Sequence, residues 1–153
     1  MPQSMNKPYP GEAATAQQLL GLASAYQAAA TVLREQGCSK HTIASAPLHL
    51  TAIHAIELYL NAFLLHTGVS PAEVRGLKHC LVDRRKLAQE AGMVLRVKTS
   101  KHLDRMSSDR EYLVARYEPE LREAMSHINR LMATLDEVSK KVKIMVSDEK
   151  TPP

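Results

Sequence analysis

The chain has 153 residues and a mass of 17.0 kDa, which points to one domain able to bury a core without disulfide or metal staples. Tryptophan is absent, phenylalanine occurs once, and the chain is rich in Ala, Leu, Glu, Lys, Arg, Gln and Met, a helix-forming composition. The two cysteines, Cys38 and Cys80, form no CxxC pair, so a disulfide framework is excluded. Pro2, Pro8 and Pro10 stand where a secretory leader needs an apolar run, so the expected compartment is cytoplasmic.

Taken in order, residues 1–11 read as a flexible N-terminal arm and residues 147–153 as a flexible C-terminal tail, with one helical bundle over residues 12–146. The first helix is expected from Glu12, with its apolar stripe on Leu19, Leu22, Tyr26, Ala30 and Leu33 and Gly37 at its end. A loop over 38–44 leads to Ser45, a cap, and Pro47 in the first turn of a second helix that Gly68 closes. That helix carries Leu48, Leu50, Ile53, Ile56, Leu58, Leu60, Phe63, Leu64 and Leu65 around well over half of its circumference. A helix apolar nearly all round belongs in the middle of a bundle or at an interface. Its apolar run over 58–65 is interrupted by Asn61 and is short for a bilayer span, so no membrane association is expected.

His54, Glu57 and Asn61 share one edge of this helix at spacings i, i+3 and i+7. A metal corner would need a third strong ligand, which Asn61 is not, so no metal or cofactor is expected there. The better reading is a buried polar group that fixes helix packing through a His–Glu hydrogen bond.

Ser70-Pro71-Ala72-Glu73 is a capping box that opens a short helical turn ending near Gly76. A third helix follows, with Leu77, Leu81, Leu87 and Ala88 inward and Arg84, Arg85 and Lys86 outward, closed by Gly92. Residues 93–99 read as a loop, and Ser100 as the cap of a fourth helix reaching Tyr117. A second capping box, from Ser108 to Glu111, predicts a bend or restart within it. Pro119 is expected to open the last helix, through Met125, Ile128, Leu131, Leu135, Val138 and Val142. The fold expected is all-α: an antiparallel up-and-down bundle of four long helices plus a short helical turn.

The net charge of +4 is unevenly spread, because residues 75–105 hold nine basic and three acidic residues. Arg75, Lys78 and His79 at the entry to the third helix, the run Arg84, Arg85 and Lys86, and Arg116 at the end of the fourth form a candidate polyanion-binding set. The competing reading makes the segment a solvated helix face, with Arg116 in a salt bridge or capping carbonyls.

Three pieces of this chain resemble the HEPN domain family in order and spacing. Residues 55–62 (AIELYLNA) are similar to the family's "A-x-E-L-x-L-K-A" helix, residues 76–81 (GLKHCL) to its "H-D-L" entry, and residues 112–119 (YLVARYEP) to its "Y…R-Y-P" helix end. Cys80 stands where an acid is usual after the histidine, and Asn61 where a lysine is common. The resemblance implies a helical bundle that forms homodimers and associates with RNA, nucleotides or a cognate protein partner in toxin–antitoxin or defence settings. Many members are metal-independent ribonucleases with an Arg-x4–6-His motif. This chain has three formal matches, Arg34 with His41, Arg96 with His102 and Arg122 with His127, none followed by Asn, Asp or His after the arginine. Arg122 and His127, expected on the last helix, are the candidate catalytic pair. Three functions are therefore open: a non-catalytic RNA- or nucleotide-binding homodimer, an endoribonuclease, and a helical protein-interaction module.

Overall fold

The computed structural model describes residues 7–37, 43–120 and 125–147, and all regular structure within them is helical. Among the described residues seven α-helices follow one another: α1 (Ala16–Glu35), α2 (Ala46–His66), α3 (Pro71–Gly76), α4 (Leu81–Glu90), α5 (Val97–Ser108), α6 (Glu111–Tyr117) and α7 (Ile128–Ser147), with a 3-10 turn at Ile43–Ser45.

The second helix is the axis of the molecule. It packs against α1, α7, α6 and α4, and Leu48, Ile56, Tyr59, Leu60, Phe63 and Leu64 on it have no exposed surface. Each such side chain contributes about 1.5–3 kcal/mol by leaving water. Tyr59 also ties α2 to α1, since its hydroxyl donates to Gln27 Oε1 and shares a 3.1 Å hydrogen bond with Ser24 Oγ. The helix is long and apolar enough to cross a membrane by length and composition, contrary to the sequence expectation. Most of that stretch is buried within the bundle, which accounts for its apolar character without a bilayer.

Several boundaries differ from the sequence expectation, each for a local reason. The first helix begins at Ala16 because Thr15 and Gln18 form a reciprocal capping box, while Tyr9 to Ala14 form turns. The helix expected from Leu77 begins at Leu81, after Lys78 has taken a φ of 51°. Cys80 supplies its cap, accepting from Asp83 N at 3.5 Å, the role an acid would otherwise fill.

The fourth helix begins at Val97 rather than at Ser100. Glu137, from α7, accepts from Arg96 N and from Thr99 Oγ1, both at 2.8 Å, and so satisfies the start of α5 from outside. The expected restart is real, and it is made by Arg110 in the left-handed region, φ 52°, between α5 and α6.

The last helix begins at Ile128, not at Pro119. Before it, Met125 and Ser126 are drawn into the core. The Ser126 carbonyl takes a 3.0 Å hydrogen bond from His49 Nε2, and its hydroxyl lies between Glu111 and His102. Those bonds hold the segment in a form a helix could not offer. Residues 1–6 of the expected arm and residues 148–153 of the tail lie outside the described residues.

Candidate anion-binding cleft

The polar edge of α2 is built into a chain of hydrogen bonds with the segment that enters α4. Arg84, only 2% exposed, donates through Nη2 to Glu57 Oε1 at 3.3 Å, through Nε to Asn61 Oδ1 at 2.7 Å and through Nη1 to the Cys80 carbonyl at 3.2 Å. Burial lowers the Arg84 pKa, and the Glu57 carboxylate opposes that shift. The other Glu57 oxygen, Oε2, accepts from His79 Nδ1 at 3.2 Å. One buried carboxylate thus holds both a buried guanidinium and an imidazole whose side chain is 47% exposed.

His79 is clamped a second time by Tyr112 of α6, whose ring lies 4.7 Å away and is tilted by 33°. With Nδ1 engaged and one face covered, Nε2 is the nitrogen a ligand can reach. His54, Glu57 and His79 together form a wall between two open clefts. The smaller, about 280 Å³, is lined by Tyr26, Leu50, Thr51, Ile53, His54, Tyr112 and Arg116 as well. The larger, about 620 Å³, has apolar sides from Leu19, Leu22, Leu58, Leu65 and Val74, and its polar lining includes Arg75, Lys78 and Asn61. Both volumes are in or near the range of small-molecule sites.

The two clefts together are lined by five of the seven residues of the polyanion set, though not in equal roles. His79 and Arg116 both line the smaller cleft, and Arg75 and Lys78 line the larger one. Arg116 donates to the Tyr117 hydroxyl at 2.8 Å and is exposed. Arg84, expected to face outward, is the buried anchor of Glu57, because α4 brings its guanidinium to 3.3 Å from that carboxylate. Arg85 is also turned away from solvent, paired with Asp104 at 2.6 Å and bonded to Gln89 at 2.8 Å. Lys86 is exposed and lines neither cleft.

His54 meets Tyr26 edge to face, with ring centroids 4.6 Å apart. Burial lowers its pKa, against the pull of Glu57, so it stands as a neutral ring in the wall. The hydrogen bond expected between His54 and Glu57 is instead made by His79.

The other histidines serve different ends. His102, paired in the sequence with Arg96, is buried between Thr134 Oγ1 at 2.7 Å and Ser126 Oγ at 2.6 Å, and burial holds its pKa down at about 4. Arg96 is bound to the start of α5 and reaches toward Glu137. His127 is exposed and precedes α7 rather than lying on a helix, its carbonyl accepting from Leu131 N at 2.9 Å. Arg122 and His41 lie outside the described residues. No group of three His, Cys, Asp or Glu side chains fit to hold a metal ion occurs among the described residues.

Sequence reasoning missed Tyr112 as a site residue, although it opens the third resembling segment, and favoured a core or interface role for Tyr26 over a ligand contact. It also missed Tyr9, which lies under Arg75. An aromatic at the same helical spacing as core residues carries no mark of which side of a cleft it faces. Comparison with known proteins finds no matching family model, no matching curated protein and no matching solved structure.

Proposed function

We propose that the protein binds a phosphate-bearing ligand, a nucleotide or an RNA strand, in the cleft that His79 and Arg116 both line. The observation that carries this reading is their convergence: two basic groups from separate elements share one cleft, with Tyr112 stacked beside the imidazole. A guanidinium is suited to a phosphate, and a half-buried aromatic at the rim of the same cleft is suited to a base. The reading includes a cytoplasmic, HEPN-like antiparallel bundle acting as a homodimer. In its support, α1 has no charged residue from Ala16 to Leu33 and exposes Leu22 and Val32, 45% and 52% accessible. A cognate helical protein would compete for that same face. Fluorescence anisotropy with a labelled single-stranded RNA tests the binding. Arg116→Ala and His79→Ala should each weaken it with the helical content unchanged, and equal affinity in both variants rejects the reading.

A second reading, metal-independent cleavage of RNA, is favoured by the Glu57 bond to His79 Nδ1, which fixes the tautomer that presents Nε2 as a base. Arg116 would then hold the phosphate. Cleavage in the presence of a chelator, lost in His79→Ala and kept in His127→Ala, would support it. Loss in His127→Ala alone would return the chemistry to Arg122 and His127.

A further inference from the structure

The larger cleft has a feature that phosphate binding does not require. Arg75 is exposed on α3, and its guanidinium carbon lies 4.8 Å from the centroid of the Tyr9 ring. No helix brings Tyr9 there. It rides on a self-contained turn in which Glu12 N donates to the Tyr9 carbonyl at 2.9 Å, Tyr9 N to Glu12 Oε2 at 3.2 Å and Ala14 N to the Gly11 carbonyl at 3.0 Å. Gly11, at φ 86°, permits the bend. Among the described residues, the stack on Arg75 is the one polar or ring contact between this turn and the bundle. Glu12 lines the same cleft. The turn thus lays a flat ring on an exposed guanidinium, and a flat ring is what the base of a nucleotide would offer.

We propose that Arg75 is a base-stacking subsite of the phosphate site, and that Tyr9 is its resident stand-in, displaced when RNA binds. The proposal rests on the reading of the His79–Arg116 cleft given above. It rests as well on His79, which lines both clefts: a strand with one phosphate at His79 can place its neighbouring nucleotide in the larger cleft, which Arg75 lines. Stacking on a guanidinium plane tolerates any base, so the subsite adds affinity without reading sequence.

The test uses the full chain and two probes, inorganic phosphate followed by chemical-shift titration and a labelled oligoadenylate followed by anisotropy. Arg75→Lys keeps the charge and loses the stacking plane. It should weaken oligoadenylate about tenfold and leave phosphate binding unchanged. Tyr9→Ala should tighten oligoadenylate several-fold and also leave phosphate unchanged. If Arg116→Ala weakens both probes while Arg75→Lys and Tyr9→Ala alter neither, the subsite is overturned and the phosphate site stands. A loss in Arg75→Lys with no gain in Tyr9→Ala overturns the stand-in. If Arg116→Ala changes neither probe, the phosphate site itself is wrong and the subsite falls with it.

Discussion

Glu57 and His79 are joined by a 3.2 Å hydrogen bond from the imidazole Nδ1 to carboxylate Oε2, and the opposite oxygen of Glu57 is held by Arg84. The histidine is exposed, while its partner and its partner's partner are buried. A solvent-facing ring held from below by a buried, hydrogen-bonded carboxylate is the arrangement a binding or proton-transfer histidine requires.

Arg84 should behave as a structural residue despite its place in a basic run. Arg84→Ala leaves the Glu57 carboxylate without its buried cation and should lower the unfolding free energy by about 3 kcal/mol, read from urea denaturation. Lys86→Ala, two positions on, should stay within about 0.5 kcal/mol of the parent.

The salt dependence of RNA binding should report how many basic side chains touch phosphate. Arg116→Ala should reduce the slope of log K against log salt by about 0.7, one contact on a single strand. Reversing Lys86 to Glu should leave the slope nearly unchanged. Equal effects from Arg116 and Lys86 would mean a diffuse field rather than a site.

Much of the scaffold was legible in the sequence. The apolar circumference of α2 and the Pro71 start of α3 follow from local chemistry. The break before Glu111 falls where expected, but the capping box from Ser108 does not form: Arg110 turns the chain without a side-chain cap, and Glu111 bonds to Ser126 instead. The polyanion set named His79 and Arg116, yet no sequence signal could show that they line one cleft, because that depends on how α6 packs on α2. Arg84 and Arg85 were misplaced for the same reason. A charge run reads as solvent-facing by default, and only the acids Glu57 and Asp104, brought against it by other helices, turn Arg84 and Arg85 inward. The start of α7 was hidden because Ser126 is fixed by side chains from three other helices rather than by its neighbours.

Stability should fall as pH is lowered from 7 to 5. Folding depresses the His102 pKa from 6.5 to about 4, so below 6.5 the unfolded chain takes up a proton that the folded chain refuses. The stability is therefore complete above about 6.5 and is lost as pH falls towards 4, amounting to about 2 kcal/mol by pH 5. Glu111, whose carboxyl is raised by burial, works the other way: the folded state keeps its proton to higher pH, and that contribution fades as pH rises. Glu111→Gln removes the opposing part, so its denaturation midpoint should drop more steeply with acid than that of the parent.

Ser126 joins the two groups. Its hydroxyl lies 2.6 Å from His102 Nε2 and 2.6 and 2.8 Å from the two Glu111 oxygens. Ser126→Ala leaves a buried carboxyl and a buried imidazole each short of a partner, at a cost of about 2 kcal/mol. Urea denaturation of that variant checks it, and a change below a few tenths of this value would mean that the network is slack.

The most direct measurement is the side-chain NMR spectrum of the histidines during titration with single-stranded RNA. The His79 ring should shift in a saturable manner with the affinity seen by anisotropy, and the shift should be lost in Arg116→Ala, while the buried His102 ring stays still. RNA binding that leaves the His79 ring unmoved would contradict the central claim that the His79–Arg116 cleft is the site.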